Sequence, residues 1–202
     1  MPDLVAFRPE FAMRVYKNTP DPGQLPIEDS QIFETEGATL RAVFSPGHAE
    51  DHMCFVLEEE NAMFTGDNVL GHGYSVCEDL SVYVRSLRYM ADQKCQIGYP
   101  AHGITIDDLP KKIMQYIRHK ELREKQIYMA MARNKAKVAE IDRSKKASVT
   151  VREIVTLVHG DVPDDMAKMA LEPSVAEVLL KLAADRKVGF ETRVGIKRWF
   201  LK

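Results

Sequence analysis

Several features that narrow the function of a protein are scarce or absent in this 202-residue sequence. Its three cysteines, Cys54, Cys77 and Cys95, are widely spaced and form no C-x-x-C pair, so neither a disulfide framework nor a thiolate zinc site is indicated. We therefore expect a reducing compartment and predict a cytoplasmic protein. No apolar run approaches the roughly 18 residues that a membrane span needs. The opening MPDLVAFRPEF lacks the segments of a secretory signal, so no membrane partner is predicted.

Charge of either sign is also not in excess, because 28 basic and 30 acidic residues give a net charge of -2. This balance provides no overall bias toward nucleic acid or membrane. The densest basic stretch, residues 133–146, is most simply a solvated helix end or linker, and nucleic acid is not expected as a partner. No glycine-rich phosphate loop is present either, which argues against a nucleotide-binding protein.

The first half of the chain has the pattern of β-strands separated by turns. Short apolar runs such as MRVYKN, QIFETEG and TLRAVFSP extend to about Pro46, and residues 53–58 and 62–65 predict a hairpin. Helical spacing over residues 78–90 is followed by the strand CQIGYP and by a helix from about residue 107 to residue 133. Alternation of strands and helices predicts a layered α/β protein.

The C-terminal part predicts a second, smaller domain. We place the main domain at residues 1–135, a linker at 136–147 and the small domain at 148–202. Its first helix is marked by a capping box of Thr150 and Glu153. Two more helices are predicted at about residues 163–170 and 173–185, followed by a hairpin of KVGFE and IKRWFL. Three helices and a hairpin in this order resemble a winged helix.

Three segments share one construction: an apolar strand ends in a glycine or proline turn and is followed by a side chain that can bind a metal. They are TLRAVFSPGH, AMFTGD and CQIGYPAH, which end in His48, Asp67 and His102. If the strands lie in one layer, their ends meet at one edge. Imidazole and carboxylate are ligands of catalytic zinc, which activates water for hydrolysis. Each pattern alone is weak, because a single histidine after glycine is more often a surface residue.

Taken in order, PGH-x-x-x-H, TGD and P-x-HG resemble the metallo-β-lactamase superfamily. The resemblance implies a partial αββα sandwich and a site for two zinc ions. His48 then matches a ligand of the first zinc, Asp67 the carboxylate that bridges both, and His102 a ligand of the second. Ala49 and Ala101 replace the usual threonine and glycine, which implies weaker hydrogen bonding around the first metal.

Longer stretches resemble one branch of that superfamily, the lactamase-beta-like hydrolases with an appended winged-helix domain. The stretches are EGATLRAVFSPGH, DHMCFVLEEENAMFTGDNVLGHG and YIRHKELREKQI. Within the branch, GDNVLGHG resembles fungal enzymes that release aromatic polyketides from acyl carrier protein. The resemblance implies a zinc-dependent thioesterase for an atrochrysone-carboxyl-type product, with the acyl carrier protein domain of a polyketide synthase as partner. Animal relatives of the branch are metal-dependent endoribonucleases, so RNA cleavage is the alternative.

The superfamily's H-x-H-x-D-H loop is absent, and its usual position would fall just upstream of Met1. That loop supplies the remaining metal ligands and an aspartate that serves as general base, so no catalytic residue is identified in this chain. We therefore expect an N-terminally truncated protein that binds zinc weakly and is inactive alone. A catalytically inactive fragment is a third interpretation.

Two further histidines are candidates for contacts near the metals. His52 either orients the site or touches substrate, or it is a buried, hydrogen-bonded residue at the start of a strand. His72 follows the bridging aspartate in sequence and either lies at the mouth of the pocket or is a surface loop residue.

Overall fold

The structure, a computed structural model, describes residues 14–142, 144 and 146–202. Three predictions lie wholly or partly outside these residues: the start of the MRVYKN strand, the absence of a signal in MPDLVAFRPEF, and part of the basic stretch. The chain divides into two compact units. Unit 1 comprises the residues up to Val76 together with Ser86–Ile113, and unit 2 comprises Cys77–Arg85 together with Met114–Lys202.

Nine strands and four longer helices make up the described part of the chain. The strands are β1 (Tyr16–Lys17), β2 (Leu25–Pro26), β3 (Ile32–Thr35), β4 (Ala38–Phe44), β5 (Met53–Leu57), β6 (Ala62–Gly66), β7 (Ile97–Pro100), β8 (Val188–Arg193) and β9 (Ile196–Leu201). The helices are α1 (Leu80–Asp92), α2 (Leu109–Ile141), α3 (Val151–His159) and α4 (Glu172–Ala184). A helical turn at Asp164–Met166 and a π-helical segment at Ala167–Leu171 lead into α4.

Unit 1 is built on a five-stranded sheet in the order β3-β4-β5-β6-β7. Strands β3 to β6 are antiparallel neighbours, whereas β6 and β7 pair in parallel and are connected through α1. The predicted β5–β6 hairpin is present, and its turn ends at Asn61 with a φ of 48°, a conformation that asparagine tolerates. The α/β class is confirmed.

The two faces of this sheet differ in burial, as the alternation of side chains along each strand requires. The inner face carries Val43, Cys54, Val56 and Met63, all at most 2% exposed. The outer face carries Phe44, Phe55, Phe64 and Tyr99, and among the described residues Phe44 and Phe64 keep 40% and 42% of their surface exposed.

Unit 2 contains the predicted capping box, in which Thr150 and Glu153 satisfy each other's backbone N–H groups. Helix α2 is longer than expected, because it continues past residue 133 to Ile141 through good helix formers and without glycine or proline. The helices predicted at 163–170 and 173–185 form one continuous helical run, in which the π-helical segment Ala167–Leu171 leads directly into α4.

The order of helices and hairpin in unit 2 is the one expected from the sequence. Its identity as a winged helix stays a prediction, as does the division at residues 136–147, six of which belong to α2. All three cysteines are free and buried. Among the described residues, none of the helices combines the length and apolarity that a membrane crossing demands.

Candidate metal centre

Three loops of unit 1 begin at the same edge of the sheet. Strand β5 is antiparallel to both β4 and β6, and β7 is parallel to β6, so β4, β6 and β7 all run in one direction. Their carboxyl ends therefore lie at a common edge. His48, Asp67 and His102 each follow one of these ends within four residues. The topology thus brings the three candidate ligand loops to one side of the sheet.

Asp67 and His102 are the two candidate ligands that the structure places in contact. The Nε2 atom of His102 lies 3.4 Å from Oδ1 of Asp67, and both side chains are substantially exposed. Tetrahedral zinc, with an imidazole nitrogen and a carboxylate oxygen each about 2.1 Å away, holds those two atoms about 3.4 Å apart. The spacing of this pair therefore fits two ligands of one zinc ion.

His48 is held in the tautomer that metal binding requires. Its Nδ1 atom lies 3.1 Å from the carbonyl oxygen of Val76 and 3.2 Å from Oγ of Ser75. Because a carbonyl oxygen only accepts hydrogen bonds, Nδ1 carries the proton and Nε2 carries the lone pair. Metal-bound histidines are oriented in the same way, through a hydrogen bond from the other ring nitrogen.

His52 supports the site and has no ring nitrogen left for a metal. Its Nε2 accepts a hydrogen bond from the backbone N–H of Asp67 at 3.1 Å, and its Nδ1 lies 3.0 Å from Oγ of Ser45. Burial lowers the pKa of His52, which favours the neutral ring. Of the alternatives for His52, the geometry matches an orienting, hydrogen-bonded histidine.

The hydrogen bonds of His52 continue into a closed circuit around Gly66. With Nε2 accepting, Nδ1 donates to Ser45, whose hydroxyl donates to Sγ of Cys54 at 3.1 Å. The Cys54 thiol in turn donates to the carbonyl of Thr65 at 3.5 Å. Burial raises the pKa of Cys54 to about 12, so the thiol keeps the proton that it donates. The residues on both sides of Gly66 are thereby fixed.

Glycine is required at position 66 for two reasons. Its φ of 52° lies in the left-handed region, and a Cβ atom there would be 2.5 Å from Nε2 of His52. The imidazole therefore occupies the space that any side chain at this position would need. The glycine of the TGD segment is therefore needed both for its positive φ and for the space that the His52 ring occupies.

The loops that carry His72 and His102 cross with their backbones in contact. The N–H of Gly71 donates to the carbonyl of His102 at 2.9 Å. A Cβ atom on Gly103 would lie 2.8 Å from the backbone of Gly71, and a Cβ on Gly71 would overlap the backbone of Ile104. The two glycines thus permit the approach that positions His102. The side chain of His72 is exposed, and no contact of its ring is described.

Sequence reasoning missed the residues that build the site from beneath. Asn68 is fully buried and donates to the carbonyl of Ser45 at 2.5 Å, while the hydroxyl of Ser86 donates to the carbonyl of Pro46 at 2.6 Å. Both bonds tie the PGH loop to distant segments. In the sequence these roles were only weakly indicated. The indications were Ser45 at the end of an apolar strand, and a glycine next to each of Asp67 and His102.

The donor types fit a zinc site, but the described residues do not complete one. Nowhere in the described part of the chain do three or more His, Cys, Asp or Glu side chains group so that they could hold a metal ion. Catalytic zinc ordinarily has three protein ligands. The Asp67–His102 pair and the pre-oriented His48 are therefore candidates for part of a metal centre.

No protein-family model matches the chain, whereas individual proteins match over nearly all of it. It is 55% identical over 201 residues to lactamase-like protein adaB of Aspergillus niger, covering 99% of this chain and 63% of that protein. It is also 55% identical to a protein of Aspergillus chevalieri named atrochrysone carboxyl ACP thioesterase, covering 100% of this chain and 64% of that protein. The chain thus spans somewhat less than two thirds of these relatives.

The fold has a counterpart among solved structures. A metallo-β-lactamase family protein of Thermus thermophilus superposes with a TM-score of 0.68 at 22% identity, over 91% of this chain and 56% of that one. At this level of identity the comparison shows the fold. The chain therefore belongs to the family of the fungal lactamase-like proteins, and its fold is that of the metallo-β-lactamases.

Proposed function

We propose that this chain provides one half of the dinuclear zinc site of a thioesterase that releases an aromatic polyketide from acyl carrier protein. The observation that carries the proposal is the 3.4 Å separation of Asp67 and His102, in a chain 55% identical to a protein named atrochrysone carboxyl ACP thioesterase. The product is then of the atrochrysone-carboxyl type. The acyl carrier protein domain is the partner, and the cytoplasm is the location.

The chain's own residues contribute positioning. His48 presents Nε2 because Val76 and Ser75 occupy Nδ1, and His52 sets the backbone at Asp67. His102 is held by the crossing of Gly71 and Gly103. When bound by such ligands, zinc activates water and polarises the carbonyl under attack. We assign no general base to the described residues.

The test compares two proteins and two substrates. The 202-residue chain and a version extended upstream through an H-x-H-x-D-H loop are each assayed for hydrolysis of a polyketide thioester on acyl carrier protein and for cleavage of single-stranded RNA. We expect thioester hydrolysis by the extended version only. RNA cleavage without thioester turnover would favour the endoribonuclease, and inactivity of both proteins would favour an inactive fragment.

Matched substitutions separate the metal ligands from their neighbours. Asp67→Asn and His102→Ala in the extended version are expected to lower zinc content and to abolish turnover. Asp107→Asn serves as the control for Asp67→Asn, because Asp107 is an exposed carboxylate on the loop that carries His102. Zinc near two equivalents in the purified 202-residue chain, measured by elemental analysis, would contradict the expectation that it binds zinc weakly.

A further inference from the structure

One loop of unit 1 contacts both candidate histidine ligands. In the loop that follows β6, the N–H of Gly71 donates to the carbonyl of His102 at 2.9 Å. At the other end of the same loop, the carbonyl of Val76 accepts a hydrogen bond from Nδ1 of His48 at 3.1 Å. Residues 71–76, which we call the arch, therefore run from one candidate ligand to the other.

Both ends of the arch belong to the same centre. The ring centroids of His48 and His52 lie 6.2 Å apart, and Nε2 of His52 accepts from the N–H of Asp67 at 3.1 Å. The carboxylate of Asp67 lies 3.4 Å from Nε2 of His102. These contacts connect the two histidines that the arch touches, so the arch lies beside the candidate metal centre.

The two ends of the arch are fixed. At one end, Gly71 and Gly103 permit a close backbone crossing that a Cβ atom on either residue would obstruct. At the other end, Ser75 is 5% exposed, and its hydroxyl donates to the carbonyl of Val76 at 3.0 Å. A surface whose backbone is already held in place loses little conformational freedom when a ligand binds.

The side chains next to these fixed points are apolar and exposed. Among the large apolar side chains that the structure describes in unit 1, Ile104 and Val76 keep the largest exposed fractions, 77% and 72%. Tyr74, within the arch, is 47% exposed. Ile104 directly follows the crossing at Gly103, and Val76 is the hydrogen-bond partner of His48. Exposed apolar residues that gather at one place indicate a binding site more strongly than scattered ones do.

The three loops that carry the candidate ligands contain no basic residue. Residues 45–52, 67–76 and 101–108 hold neither lysine nor arginine, although the whole chain has 28, and each of these loops holds at least one aspartate. Proteins that bind nucleic acid contact its phosphates mainly through lysine and arginine. An uncharged acyl group needs no such cation. The loops therefore favour an apolar substrate over a polyanion such as RNA.

We propose that Tyr74, Val76 and Ile104 form an acyl-binding wall, which contacts the apolar aromatic acyl group of the thioester and determines the preference for it. The proposal rests on the proposed function, which places the thioester carbonyl at the candidate metal centre. With the carbonyl there, the attached acyl group lies against the side chains next to the ligands. A tyrosine ring and two branched aliphatic side chains match a flat, fused-ring group by stacking and apolar contact.

The first test compares two thioesters of N-acetylcysteamine, one naphthoyl and one acetyl, as substrates of the extended protein. Because both have the same leaving thiol, the ratio of their kcat/KM values reports on the acyl group. We expect Val76→Thr and Ile104→Thr each to lower the naphthoyl-to-acetyl ratio roughly tenfold, since a hydroxyl replaces apolar contact. Ile32→Thr is the matched control and should leave the ratio unchanged, because Ile32 is 56% exposed on β3, at the opposite side of the sheet from β7.

The second test requires no turnover. The 202-residue chain is titrated with anthracenecarboxylic acid, and the methyl signals of its valine and isoleucine residues are followed by NMR. We expect the signals of Val76 and Ile104 to shift, because the aromatic rings lie against them, and the signal of Ile32 to stay in place. The same titration with a single-stranded RNA oligonucleotide should leave all three signals unchanged.

The outcomes separate the wall from the proposed function. Hydrolysis of both thioesters with an unchanged ratio in the two wall variants would reject the wall and keep the hydrolase. If the unmodified extended protein hydrolyses neither thioester, the proposed function is rejected and the NMR titration decides on the wall. Absence of shifts at Val76 and Ile104, or equal shifts with RNA, would overturn it.

Discussion

The inner and outer faces of the five-stranded sheet have similar apolar composition but different surroundings. Met63 on the inner face is fully buried, whereas its neighbour Phe64 on the outer face is 42% exposed. Both lie on β6, one residue from each other and within four residues of Asp67. The inner face therefore packs into the core, while the outer face contributes aromatic surface that the described residues cover only in part.

The candidate metal centre lies at the end of both faces and depends chiefly on the inner one. Cys54, an inner-face residue, connects Ser45 to Thr65 within the circuit around Gly66. Asn68, fully buried, joins the loop after β6 to the loop after β4. Site geometry is therefore built on the packed side of the sheet, and substitutions there should disturb it most.

The largest effect is expected from shortening an inner-face side chain. Met63→Ala should lower the free energy of unfolding by about 2–5 kcal/mol, because it leaves a cavity in a fully packed position. Urea denaturation monitored by circular dichroism measures the change. A loss below about 1 kcal/mol would mean that the inner face is less tightly packed than its burial indicates.

The next effect is expected at the junction of sheet and site. Gly66→Ala should cost roughly 1–3 kcal/mol more than Gly37→Ala, because both have positive φ but only Gly66 faces the His52 ring. Gly37 is a suitable control, since a Cβ atom there meets nothing within 4 Å. If the two variants lost the same free energy of unfolding, contact with His52 would not be the reason for glycine in the TGD segment.

A paired substitution at His52 separates its two hydrogen bonds. Glutamine places a polar atom near the position of Nε2 and can accept from the Asp67 N–H, whereas asparagine reaches only the position of Nδ1, near Ser45. We expect His52→Asn to be less stable than His52→Gln by about 1 kcal/mol. Amide hydrogen exchange at Asp67 should be faster in the asparagine variant. The reverse order of stabilities would assign the main role to Ser45.

The smallest effect is expected on the outer face. Phe64→Thr should change the free energy of unfolding by less than about 1 kcal/mol, because threonine suits a strand and the lost aromatic surface is partly exposed already. It should also reduce binding of a hydrophobic dye. A destabilisation as large as that of Met63→Ala would show that the outer face is covered in solution.

Local features were predictable because they depend on neighbours in sequence. Alternating apolar residues predicted β4 to β7, and Thr150 with Glu153 predicted the start of α3. The end of α2 was predicted too early, at about residue 133, whereas the helix continues to Ile141 through residues that favour helix. The break expected between residues 170 and 173 is absent, because the π-helical segment Ala167–Leu171 continues directly into α4.

The candidate ligands were also identifiable from sequence, but their arrangement was not. Pattern and resemblance pointed to His48, Asp67 and His102, and the structure brings Asp67 and His102 within 3.4 Å. The role of His52 stayed open, because its partners Ser45 and Asp67 are 7 and 15 residues away.

The sequence by itself determined the strands, the capped helix and the residue types available for metal binding, because these depend on local spacing and side-chain chemistry. Tertiary structure alone decided the tautomer of His48, the circuit through Cys54 and the close approach of Gly71 to Gly103. Each of these depends on atoms that only folding brings together. Burial then decides which hydrogen bonds form, since a buried polar group without a partner is costly.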